Sequence, residues 1–342
     1  MNRNNLAVHI LGFAALLGVV CVWSGWVIAS RWGLLQSPLG PMELMLLRFV
    51  FAAAVMIPVL LRIGLGGLSW KTCCLLGLTA GPGYTAFTYT GLLYAPAAHG
   101  SALTAGMLPL FTIALGVWMG VAKVTPIRLV GLCLMLLAVF AFFLDGRDPS
   151  RSEAWIGDLL LLGGPMMWSI YTVRVQALKV DAIRATAIVA VFGCLQFLPV
   201  YFLFGDSQRL VEAGPFAVLY QGIFHGWIVV VGSLTLFTYA VRSLGSVVTT
   251  LATSTVPGIT AVAAVFLLSE PLTGASMVGV ALDAAGLVCV AVAMARAAKL
   301  AERKDQEIAA CQDDSVNELV SPEASEQIEI PTASIECSAI SD

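Results

Sequence analysis

The chain is poor in charge. Of its 342 residues only 11% are Asp, Glu, Lys or Arg, against roughly 25% in a soluble globular domain. Histidine is rarer still, with 3 residues. At 59% hydrophobic residues and a mean hydropathy of +0.90, no soluble core of this length hides the apolar side chains. The signatures of enzymes are missing too: there is no HExxH, GxSxG or P-loop, and no His-rich metal pattern. No catalytic residue, cofactor or metal site is therefore expected, and the chain does not read as an enzyme. No basic, aromatic-rich surface points to nucleic acid. The 8 cysteines (Cys21, Cys73, Cys74, Cys133, Cys194, Cys289, Cys311 and Cys337) show no CxxC or Cys/His spacing. They read as small apolar side chains rather than disulfides or metal ligands.

What the chain does have is long apolar runs. A membrane-spanning helix needs roughly 20 mainly apolar residues. Ten segments qualify: about 8–30, 42–61, 71–94, 98–121, 127–144, 155–176, 183–204, 215–238, 244–268 and 274–295. The first is too long for a signal-peptide core and is kept. Polar or Gly/Pro breaks separate the segments, among them Gln36-Ser-Pro, Asp145-Gly-Arg-Asp-Pro149 and Glu270-Pro271. In lipid the backbone must satisfy its own hydrogen bonds, so the expected fold is all-α integral membrane, a bundle of ten transmembrane helices. With the N-terminus cytoplasmic, 13 Lys and Arg fall inside and 4 outside, with Arg48 left within a helix. That asymmetry predicts both termini in the cytoplasm. From Lys299 onward three basic and eleven acidic residues leave a net of −8. The acidic tail Asp305–Asp342 reads as disordered.

The stretch Tyr239–Gly286 repeats an earlier one. At an offset of 148, Pro257 falls on Pro109, Gly279 on Gly131, and Glu270-Pro271 on Ala122-Lys123. Trp23-Ser24 returns as Trp168-Ser169. Five helices per half force the second copy to enter the membrane inverted, giving a 5+5 inverted repeat. Lys123 then lies inside and Glu270 outside. The expected organisation is a first repeat at 8–144, a second at 155–296 and a cytoplasmic tail at 297–342. Inverted repeats are a common carrier plan, with the solute bound near midplane where the halves meet.

These residues resemble the EamA type of the drug/metabolite transporter superfamily. The resemblance rests on Trp23-Ser24-Gly25, on Pro41 followed by Arg48, and on Pro109 with its downstream glycines. It rests further on Gly157-Asp158-Leu159-Leu160 before Trp168-Ser169, and on Pro257 with Ser269-Glu270-Pro271-Leu272 and Gly279. It covers about residues 8–296 and implies a secondary carrier, commonly an exporter of amino acids or other small metabolites. Two positions depart from the pattern: Ala122-Lys123 stands where the family usually has Gly-Glu, and Asp283 where an aliphatic residue is usual.

The candidate solute-binding residues come from matching helices. In the eighth, Gln221, His225, Gly232, Thr235 and Tyr239 share a face; in the third, Gly77, Gly81, Tyr84, Thr88 and Gly91 do. Plain helix packing through small residues accounts for the same pattern. Trp23 and Trp168, with Tyr171 one turn on, lie deep enough to stack on a solute or to be core. His99 opens the fourth helix, at the outer mouth or on the surface. Pro109 and Pro257 are hinge or kink positions. Asp283 is a mid-span carboxylate, read as a proton carrier or as half of a buried pair; staying protonated is the bland alternative. Arg48 is expected to snorkel outward or to pair with Glu43.

The leading expectation is a multi-pass carrier of the bacterial inner (plasma) membrane that exports a small solute by alternating access. Its partners would be that solute and membrane lipid, with a homodimer through the tenth helix as a further one. A nucleotide-sugar or lipid-linked solute carrier is the alternative, weakened by how few cations the spans offer a dianion. An intramembrane enzyme would need converging acid, base or metal groups, and Asp283, His225 and Arg48 lie far apart in sequence. A non-transporting partner or sensor, docking through the tail, is the remaining reading.

Overall fold

The computed structural model describes residues 3–120, 124–145 and 153–320. Ala122-Lys123, Arg147, Arg151 and the tail from 321 therefore lie outside the described residues. Everything described is helix, turn or coil, without a strand. The chain forms two units, Met1–Ala293 and Met294–Asp342.

The helices follow the apolar blocks: α1 (Arg3–Gln36), α2 (Pro41–Ile63), α3 (Trp70–Ala80), α4 (Pro82–Tyr94), α5 (Ala97–Trp118), α6 (Pro126–Asp145), α7 (Ala154–Ala177), α8 (Ala182–Phe204) and α9 (Ser207–Leu244). Then come α10 (Ser246–Thr253), α11 (Val256–Leu267) and α12 (Gly274–Val320). Among the described residues, nine helical stretches are long and apolar enough to cross a membrane, α10 and α11 together supplying one of them. The protein is an all-α, multi-pass integral membrane protein.

The expected third span is two helices. Pro82 lacks an amide proton and Gly81 leaves helical geometry (φ −101°, ψ −114°), so α3 ends there and α4 begins. The expected eighth span begins earlier than 215, as α9, which is interrupted at Gly214 with φ 77°. Pro109 follows a π turn at Ala102–Gly106, and Pro257 restarts the chain as α11 after α10 stops at Thr253. Each proline removes one helical hydrogen bond and presses on the carbonyl four residues back, which unwinds the turn before it.

The tail departs from expectation. Helix α12 continues to Val320, so 305–320 is helical where disorder is predicted. A helix already nucleated extends cheaply, and Ala297-Ala298, Ala309-Ala310 and the Glu, Lys and Gln between them are strong helix formers.

Glycines set the closest helix approaches in the bundle. A Cβ on Gly91 of α4 would meet the Gly157 carbonyl of α7 at 2.9 Å, and one on Gly131 of α6 the Gly286 carbonyl of α12 at 2.9 Å. Backbones this near rely on dispersion between small residues, since lipid offers no hydrophobic drive between helices. The largest buried cluster among the described residues joins α1, α2, α4, α5, α6, α7, α8, α9, α11 and α12, with Tyr89, Phe142, Leu39 and Leu44 among its fully enclosed side chains.

Candidate functional site

Two groups of buried polar residues lie inside this bundle. The first is at the end where α5 begins, α6 ends, and α7 and α12 start. His99 of α5 lies between two carboxylates, its Nδ1 2.8 Å from Asp158 Oδ1 and its Nε2 3.0 Å from Asp145 Oδ2. Ionised carboxylates only accept, so with both aspartates charged both ring nitrogens donate, the pattern of an imidazolium. Ser276 Oγ donates to Asp145 Oδ2 at 2.9 Å, and Thr273 Oγ1 donates to Asp145 Oδ1. All three members of the triad are buried, and Phe142 packs against the imidazole with ring centroids 4.5 Å apart. At the same end Arg31 Nε donates to Glu270 Oε1 at 2.7 Å, and Glu270 Oε2 accepts from Ala97 N at 2.7 Å. Glu270 thus caps α5 while holding α1.

The second group is mainly aromatic. Trp26 of α1 stacks on Tyr84 of α4 at 6.0 Å and lies 6.5 Å from Tyr89. Tyr84 meets Trp168 of α7 edge-on at 5.0 Å, and Trp168 meets Tyr171 at 5.4 Å. Tyr89 Oη is 3.1 Å from His225 Nδ1, which reaches in from a π segment of α9, Ile223–Gly232. The Arg48 guanidinium of α2 lies 6.0 Å over the Trp26 ring. Five helices therefore send one aromatic–cationic cluster together. π segments are common where a side chain must be re-aimed, and the one in α9 carries His225.

The other expected site residues are placed as follows. Thr88 is fully buried, but its hydroxyl donates to the Tyr84 carbonyl at 2.9 Å, and a Cβ on Gly164 would meet it at 2.7 Å; it packs α4 on α7. Gln221 donates to the Ala29 carbonyl at 3.1 Å and so fastens α9 to α1, with its Oε1 unpaired. Trp23 stacks on Phe237 at 5.5 Å instead of joining the cluster, and Trp26, one turn on, takes that place. Tyr239 is 39% exposed and lines a shallow apolar groove with Leu11, Ala14, Ala15 and Leu236. His99 is neither at a mouth nor on the surface. It is fully buried because two carboxylates compensate it.

Asp283 is fully buried on α12, and neither carboxylate oxygen has a hydrogen-bond partner. It faces the π turn of α5: a Cβ on Gly106 would fall on its carboxylate. The buried-pair reading of Asp283 therefore fails. Arg48 is a correction as well. It neither snorkels, being 7% exposed, nor pairs with Glu43, whose oxygens accept from Gly40 N at 2.9 Å and Asp206 N at 3.2 Å. The sequence reading passed over Trp26 and Tyr89, and treated Asp145 as loop and Asp158 as motif. The one available signal was that each polar side chain sits within or beside a long apolar run.

A bundle of long apolar helices with a polar–aromatic cluster in its interior defines a multi-pass integral membrane protein. Residues 155–292 match the model of the EamA-like transporter family. A solved structure described only as "Crystal structure of protein" aligns over 85% of this chain and 99% of its own. Its identity is 20% and its TM-score 0.55, which shows a shared fold. No curated protein matches the chain.

Proposed function

We propose that this protein is a secondary carrier that exports a small amphipathic metabolite, such as an amino acid, across a bacterial inner membrane by alternating access. The observation that carries the reading is the cluster of Trp26, Arg48, Tyr84, Tyr89, Trp168 and His225, drawn from α1, α2, α4, α7 and α9. Its residues come from both expected five-helix repeats, which is where a carrier of inverted design holds its solute. Aromatic faces take the apolar part of a solute, and the polar atoms between them replace its water. Pro109 and Pro257 start helical segments after interruptions in the two repeats, positions suited to bending during opening. Asp283, buried without a partner, is the group we assign to proton coupling.

The reading keeps ten spans with both termini cytoplasmic, α3 and α4 making the third. A nucleotide-sugar or lipid-linked solute remains the second choice: the cluster holds a cation, but a single one. The test is uptake into inside-out vesicles, with a pooled panel of labelled amino acids and small metabolites, with and without a proton gradient. Accumulation of one solute that disappears in Trp168→Ala is the expected result. Equal accumulation in that variant would remove the cluster from the transport path. Gradient dependence that survives Asp283→Asn would remove the coupling role.

A further inference from the structure

The cluster holds a charge that nothing in the described chain neutralises. Arg48 is 7% exposed, its Nη1 has no hydrogen-bond partner, and none of the described salt bridges includes it. The nearest acidic residue along α2, Glu43, is engaged by two backbone amides. A guanidinium keeps its charge in proteins, and an unpaired charge at membrane depth is costly enough to demand a counter-charge. Two more polar atoms of the same cluster lack partners, Trp26 Nε1 and His225 Nε2. If the Tyr89 hydroxyl donates to His225 Nδ1, the proton of the neutral imidazole sits on Nε2, a third unmet donor. Helices α2 and α9 meet closely here: a Cβ on Gly226 would touch the Arg48 carbonyl at 3.1 Å. The same cluster holds the rings of Tyr84 and Trp168, edge-on to each other at 5.0 Å. No aspartate or glutamate belongs to the cluster.

We infer that Arg48 is the anion-binding residue of this site and that the solute is an amphipathic organic monocarboxylate, a class that includes large and aromatic amino acids. Its carboxylate meets the guanidinium fork, which matches two oxygens at once. Its apolar or aromatic body lies against Tyr84 and Trp168. One cation balances one negative charge, which disfavours dianionic nucleotide sugars. An ammonium group on the solute would find ring faces rather than a carboxylate. The inference rests on the carrier reading only for where the solute sits.

The test is equilibrium binding to the purified full chain in detergent. The probes are labelled aliphatic and aromatic monocarboxylates and amino acids, each paired with its neutral amide, such as phenylacetate with phenylacetamide. Carboxylates should bind saturably and at least tenfold more tightly than the amides, and Arg48→Gln should abolish that preference. Amides binding as tightly as acids, a preference that survives Arg48→Gln, or no saturable binding by any carboxylate would each overturn the inference. The acid-to-amide ratio of the unaltered chain reads the outcome even where the variant fails to fold. Binding without uptake in vesicles would sink the carrier reading and leave Arg48 in its role. Uptake that is indifferent to the carboxylate would do the reverse.

Discussion

The two buried polar groups of this protein are built on opposite plans. Around His99 the charges are largely paired: two carboxylates face the two ring nitrogens and two hydroxyls serve Asp145, while Asp158 Oδ2 has no partner. Around Arg48 the charge is left over, and the polar atoms near it, Trp26 Nε1 and His225 Nε2, are unpaired. His99 and His225 are both fully buried, so burial alone does not tell structure from function. Closure does. A largely satisfied network rigidifies the helices that supply it, here α5, α6, α7 and α12. An unsatisfied one stores the free energy that a solute with matching groups can recover on binding. The same comparison separates Asp283 from Asp158, both fully buried carboxylates, since only Asp158 has an imidazole beside it.

Breaking the closed group should give the largest change. His99→Ala leaves two carboxylates facing each other without a cation, and loss of one member of a buried pair costs about 3–5 kcal/mol. Thermal unfolding in detergent should show a large drop, or the variant should fail to accumulate. Arg48→Met should act the opposite way. It removes an uncompensated charge, so thermal stability should hold or rise. Carboxylate binding should meanwhile fall about 10- to 100-fold, the loss expected for a charge-assisted contact of about 1.5–3 kcal/mol. A destabilised Arg48→Met beside an unaffected His99→Ala would invert the comparison. The smallest effect concerns Asp283. Gly106→Ala places a methyl on its carboxylate and should lower stability by about 1–3 kcal/mol, as overpacking does. Adding Asp283→Ala should restore most of that loss in a double-mutant cycle; strictly additive losses would mean that the two residues do not touch.

Much of the fold is legible in the chain because a helix crossing lipid needs an unbroken apolar run, and such runs survive any rearrangement of neighbours. The breaks are legible for a similar reason. Gly81-Pro82-Gly83, Pro109 and Pro257 act on their own backbone, whatever packs nearby. The site is legible only in part. Tyr84, Trp168 and His225, expected from the sequence as solute-binding candidates, come together in one cluster, His225 through Tyr89. Trp23 is chosen where Trp26 belongs, because residues three apart share a helix face and only the neighbours decide which turns inward. Arg48 is misread because a long side chain can snorkel from that depth if water is within reach. In the bundle its guanidinium turns inward instead, over the Trp26 ring, and the residue is 7% exposed.

The sequence by itself determined the solvent of this protein, the number and length of its apolar runs, and where its helices must bend. Each follows from short-range facts: hydrocarbon admits only self-bonded backbone, and proline breaks the helix that contains it. Only the tertiary structure decided which charges are paired. His99, Asp145 and Asp158 are scattered across three helices, and Arg48 stands five residues from a glutamate that bonds elsewhere. Electrostatic compensation depends on distances of about 3–4 Å between side chains, and those distances are set by how the helices rotate and pack, not by their order along the chain.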